Sequence, residues 1–159
     1  MTIPERMRER IELLQDKPCW HALFVGLGGR SFSLELGARV RRTARVPRVK
    51  NEDFAWHHGE VTLLVWCAWQ LFDANGSLLA SDAAPENAAR RLAALAGDRV
   101  SSASCEGPPW HLTLTFTSGA RLLILGDEQH AEMDRSWELW TGREALFAGP
   151  ADRWLLHSE

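Results

Sequence analysis

The stretch that decides the fold is Glu60 to Phe72, Glu-Val-Thr-Leu-Leu-Val-Trp-Cys-Ala-Trp-Gln-Leu-Phe. Both of its alternating faces are apolar. Val61, Leu63, Val65, Cys67 and Trp69 fall on one side, and Leu64, Trp66 and Ala68 on the other. Period-2 patterning with two apolar faces is expected of a central strand covered on both sides. The run is too short, and too interrupted by Thr62 and Gln70, to be a membrane helix, which needs about 20 apolar residues. Immediately after it, Asp73-Ala74-Asn75-Gly76 reads as a hairpin turn, and Leu78 to Ala80 as the return strand.

Working outward, strand patterns dominate. Phe32, Leu34 and Leu36 alternate with Ser31, Ser33 and Glu35, and Gly37 is expected to end that strand. Cys19 to Val25, Val100 to Cys105, Trp110 to Phe116, Ala120 to Leu125, Trp137 to Trp140, Glu144 to Phe147 and Trp154 to His157 complete the set. Two segments break the pattern. Ile3, Met7, Ile11 and Leu14 recur at helical spacing, with Pro4 near the start and Thr2 as a cap. Pro85 to Ala96 is a second helix, with Ala88, Leu92 and Leu95 as its apolar stripe, Ser81 or Asp82 to cap it and Gly97 to stop it. The expected fold class is therefore α+β: a mostly antiparallel sheet system with an N-terminal helix and one helix near 85–96. The hairpins at 60–82 and 110–127 are loosely alike, each ending in an acid (Asp82, Asp127), but share too little to be read as a repeat.

At 159 residues, with 45% hydrophobic and 25% charged side chains, the chain fits one globular domain, 1–159, and excludes disordered and coiled-coil classes. The start, Met-Thr-Ile-Pro-Glu-Arg-Met-Arg-Glu-Arg, lacks the apolar core of a signal peptide, so a cytoplasmic location is expected. The three cysteines, Cys19, Cys67 and Cys105, are odd in number and widely spaced, which argues against a disulfide framework. Sixteen of the 18 basic residues are Arg, a coding bias of GC-rich bacterial genomes.

The net charge of −3 conceals a polarised distribution. Arg39, Arg41, Arg42, Arg45, Arg48 and Lys50 lie together with no acid among them. Such a run can steer a partner, or guard an exposed sheet edge against aggregation. Because the chain as a whole is acidic, nucleic acid is not the expected partner. Eight Trp with no Tyr is an unusual balance, and Trp and Arg are the residues that dominate binding surfaces. Trp56, Trp110 and Trp140 are accordingly expected to be apolar anchors, rimmed by Arg41, Arg42, Arg45 and Arg48.

Motifs of chemistry are sparse. Gly26-Leu27-Gly28-Gly29 is followed by a strand pattern rather than a helix, so it reads as a turn and not as a phosphate loop. Asp127 to Asp134 is acidic but lacks the glycine a calcium loop bends on; with Glu138 it forms a patch able to complement the basic run. His57, His58 and Glu60 are the densest group of ligating side chains. Adjacent His residues point to opposite sides of a strand, so His58 with Glu60 would need a third ligand such as Cys19 or His21. Cys67, set in the apolar run, reads as a buried thiol, and Cys105 as the more accessible one.

Val65-Trp66-Cys67-Ala68-Trp69-Gln70-Leu71, the hairpin Leu112 to Leu122 and Ser136-Trp137-Glu138-Leu139-Trp140 resemble stretches of small β-rich bacterial proteins, some of them immunity-protein-like. That resemblance implies a protein partner, a cognate toxin. The expectation is a non-enzymatic protein-recognition module without a cofactor, with a homodimer as a weaker alternative. The competing expectation is a small metal- or ligand-binding enzyme using His57, His58 and Glu60.

Overall fold

The computed structural model describes residues 3–25, 30–128 and 135–158. The Gly26–Gly29 turn, the Thr2 cap and most of the 127–134 acidic segment lie outside the described residues. Among those described, the chain runs α1 (Glu5–Glu12), β1 (Cys19–Phe24), β2 (Phe32–Arg41), α2 (Glu52–Trp56), β3 (His57–Val65), β4 (Trp69–Phe72) and β5 (Leu78–Ala80). It continues with α3 (Pro85–Ala93), β6 (Val100–Glu106), β7 (His111–Phe116), β8 (Arg121–Ile124), β9 (Trp137–Thr141), β10 (Glu144–Ala148) and β11 (Trp154–Ser158). Two wholly antiparallel sheets result, ordered β1-β2-β3-β9-β10-β11 and β5-β4-β8-β7-β6. The class is α+β, mostly β, as expected.

The decisive stretch is not one strand. It leaves the six-stranded sheet at Val65 and enters the five-stranded sheet at Trp69, crossing at Trp66-Cys67-Ala68. The N–H groups of Trp66 and Cys67 both donate to the Ser136 carbonyl, at 2.9 and 3.1 Å, so the crossing backbone stays paired. Crossing explains why both faces are apolar. Val61, Leu63, Val65, Cys67, Trp69 and Leu71 are buried in the shared core, while Leu64 and Trp66 sit half-covered on the outer face.

The strand orders expose a repeat, though not between the hairpins at 60–82 and 110–127. The first half supplies β1-β2-β3 to one sheet and β4-β5 to the other; the second supplies β6-β7-β8 to one and β9-β10 to the other. Register makes the equivalence residue by residue. Phe32, Leu34 and Leu36 face Val65, Leu63 and Val61, as Leu112 and Leu114 face Ile124 and Leu122. Val65 then meets Trp137 on β9, and Ile124 meets Trp69 on β4. The Trp69 indole donates to the Arg30 carbonyl at 2.6 Å, and Trp137 to the Trp110 carbonyl at 3.0 Å. Those carbonyls lie two residues before Phe32 and Leu112 respectively. The junctions match too: Cys19 N–H donates to Asp98 O and Val100 N–H to Lys17 O, while Asp16 N–H donates to Val100 O and Gly97 N–H to Cys19 O. After each helix the chain turns through a positive φ, at Asp16 (66°) and at Gly97 (95°), the latter as expected of a helix-stopping glycine.

The stripes read from sequence are buried: Met7 and Ile11 from α1 with Leu14 just past its end, and Ala88 and Leu92 from α3 with Leu95 just past its end. α1 lies against β6 and α3 against β1, so each helix covers an edge strand of the other half. The residue capping α3 is Ala84, without a side-chain bond, rather than Ser81 or Asp82; Pro85, with no N–H to satisfy, opens the helix instead.

The halves differ in one large feature. Phe116 and Ala120 are joined by the tight turn Thr117-Ser118-Gly119, whereas their counterparts Leu36 and Val61 are separated by residues 37–60. Gly37 does not end β2. It sits at φ +81° in a bulge, where a Cβ would collide with the Glu60 side chain at 2.2 Å, and the strand runs on to Arg41 against the start of β3.

Candidate functional site

The 37–60 segment builds a cleft on the outer face of the six-stranded sheet. Its volume is about 440 Å³, within the range of small-ligand pockets. Glu35 and Ser33 from β2, Thr62 and Leu64 from β3 and Leu23 from β1 form the floor. Arg42, Phe54 and His58 from the inserted segment, and Trp140 from β9, form the walls.

The insert is fastened by its own charges. Asn51 Oδ1 caps α2 by accepting from Phe54 N–H at 3.0 Å. Arg39 Nε donates to Asp53 Oδ2 at 2.6 Å, and Arg45 to Glu52 Oε1 at 2.6 Å, with further bonds to the Val46 and Val49 carbonyls. Arg42 N–H meets Trp56 O at 2.8 Å, and Val46 N–H meets Ala55 O at 2.9 Å. The acids that complement the basic run are therefore Glu52 and Asp53. Glu138, assigned to that role from sequence, instead accepts from Arg135 at 3.0 Å, from the Trp66 indole at 2.5 Å and from the Trp140 indole at 3.3 Å.

Glu35 is the residue that sequence reading passed over. In an alternating strand it marked the solvent side. The inserted segment covers that side, leaving Glu35 only 3% exposed. Its Oε2 accepts from Gly59 N–H at 2.7 Å and Thr62 Oγ1 at 2.6 Å. Among the described residues no hydrogen bond or ion pair reaches Oε1. Burial pushes the carboxyl above the usual carboxylate range, against the pull of those two donors and of Arg42 and His58.

Arg42 was expected on the rim and is found in the wall. Its Nε donates to Phe54 O at 3.0 Å and its guanidinium lies 4.8 Å above the Phe54 ring. Among the described residues it pairs with no carboxylate. His58 Nδ1 lies 2.7 Å from Gly59 O. A carbonyl only accepts, so Nδ1 carries hydrogen.

The other sequence candidates scatter. His57 turns to Asp53, and Glu60 to Lys17 at 3.4 Å and Ala38 N–H at 2.9 Å, so the trio with His58 does not converge. Cys19 is buried in the core on the opposite face, and His21 is stacked under Phe54 at 4.4 Å, where burial lowers its pKa. Among the described residues no three His, Cys, Asp or Glu side chains are placed to hold a metal ion. All three thiols are free, and burial pushes each to about 12.

Of the three expected anchors, Trp110 is a core residue, 4% exposed, because its backbone receives Trp137; it is not on the surface. Trp56 is half-buried beneath Arg41, whose guanidinium lies 4.4 Å over the ring, and Trp140 is half-buried in the cleft wall. Arg41 and Arg48 are exposed on the insert, and Arg45 is tied to Glu52. No helix among the described residues is long and apolar enough to cross a membrane. Comparison with protein-family models, with characterised protein sequences and with solved structures returned no match.

Proposed function

We propose that this protein is a recognition module that binds a small organic ligand in the cleft under the 37–60 segment. The observation that carries this reading is the asymmetry between otherwise matching halves. One connection is three residues long and closes a tight turn, whereas its counterpart is 24 residues long, covers a buried carboxyl and brings a guanidinium and an imidazole to the cleft. A scaffold needs only the short form, so the long form is where a function would reside. Apolar walls with a few fixed polar groups are the usual make-up of a ligand site. Backbone amide NMR with a library of small molecules tests it. Binders are expected to shift Gly59, Thr62 and Leu64, and Leu64→Trp, which fills the cleft, is expected to abolish those shifts with the fold intact. Binders that map elsewhere and ignore Leu64→Trp overturn it.

A second reading is favoured by the rim. Arg41 stacked on Trp56 is the pairing found in protein-binding hot spots, and with the exposed Arg48 and Lys50 on the same inserted segment it suits an acidic protein partner such as the toxin implied by the immunity-protein resemblance. On that reading Arg41→Ala and Trp56→Ala weaken the partner complex while leaving cleft shifts unchanged.

A further inference from the structure

Resting on the cleft reading above, we propose that the ligand is a small zwitterion of the α-amino-acid type with an apolar side chain. Its ammonium group meets Glu35, its carboxylate meets Arg42, and its side chain lies against Phe54, Leu64 and Trp140.

The argument begins from an acid and a base that line one cleft without pairing. In a confined apolar space, opposite charges ordinarily close on each other. Here each is held by other bonds. Arg42 is pinned through Nε to the Phe54 carbonyl and laid on the Phe54 ring, which leaves the two terminal amino groups of its fork. That fork matches a carboxylate in two-point geometry. Glu35 is pinned through Oε2 to Gly59 and Thr62, which leaves Oε1. Arg42 is near enough for its charge to act on Glu35, yet no ion pair forms between them. A ligand carrying both charged groups on one carbon satisfies both ends at once, and an ammonium at Oε1 offsets the burial that disfavours the ionised acid. Leu23 and Leu64 in the floor, with Phe54 and Trp140 in the walls, then select an apolar side chain over a polar one.

Calorimetry and amide NMR with L-phenylalanine and L-leucine test the proposal, with N-acetyl-L-phenylalanine, L-phenylalaninamide and the uncharged compound indole as comparisons. Expected are cleft shifts with the two amino acids and a loss of about tenfold or more in affinity for each blocked derivative, the scale of one charge-assisted contact. Glu35→Gln is expected to bind the parent and the N-acetyl derivative alike, and Arg42→Met to bind the parent and the amide alike. Equal binding of blocked and unblocked forms by the native protein overturns the proposal. Indole bound in the cleft with no amino acid bound also overturns it, while leaving the cleft reading in place. No small molecule bound at the cleft, with Leu64→Trp behaving as the native protein does, overturns both.

Discussion

A carboxyl as sheltered as Glu35 needs either a proton or strong partners, and here burial outweighs the partners. The consequence for pH follows from linkage. A carboxyl whose folded pKa lies above the unfolded value, near 4.5, contributes its stability in full below that value and loses it as pH rises through the folded pKa. Glu35→Gln keeps an oxygen for Gly59 and Thr62 but cannot ionise. The difference in melting temperature, variant minus native, is therefore expected to grow as pH rises from about 4.5, in thermal melts at a series of pH values. A difference that shrinks over that window contradicts the account. Nothing in the sequence distinguished Glu35 from any acid on the wet side of an amphipathic strand. Its character comes from a roof 24 residues long whose path depends on Asn51, Arg39 and Arg45 finding partners. His58 is legible by its chemistry, but its companion in the fold is Glu35 rather than Glu60: the bulge at Gly37 sends Glu60 toward Lys17 and leaves Glu35 beneath the insert.

At the scale of elements, strands and helices were legible because period-2 and period-3.6 patterns depend only on which face is buried. What patterning could not report was partnership. Glu60 to Phe72 reads as one continuous strand because alternation survives a change of sheet. The repeat escaped for a similar reason. The hairpin β4–β5 answers to β9–β10, where Trp69-Gln70-Leu71 matches Trp137-Glu138-Leu139, and not to the 110–127 hairpin. The insert is the element that can be tested whole. Replacing residues 37–60 with a copy of the turn Thr117-Ser118-Gly119 joins Leu36 to Val61 as Phe116 is joined to Ala120. The variant is expected to keep a β-type far-ultraviolet circular dichroism spectrum and a cooperative melt while losing every cleft shift. An unfolded product would mean that the insert is part of the scaffold.

For the whole molecule, each sheet is completed by strands from the other half, β9, β10 and β11 in one and β4 and β5 in the other, so neither half can open alone. Urea unfolding followed by tryptophan fluorescence and by circular dichroism is expected to give coincident single transitions, and separated midpoints would count against the shared core. The matched indoles give a sharper test. Trp69→Phe leaves the Arg30 carbonyl without its donor, and Trp137→Phe does the same to Trp110, so each is expected to cost about 1–3 kcal/mol, and by similar amounts. The exchanged hairpins carry one more implication. Nothing in the geometry of the two sheets requires their strands to come from a single polypeptide. A peptide containing only the helix, three strands and crossing hairpin of one half would find its missing neighbours on a sister molecule, and the pair would close the same body with true twofold symmetry.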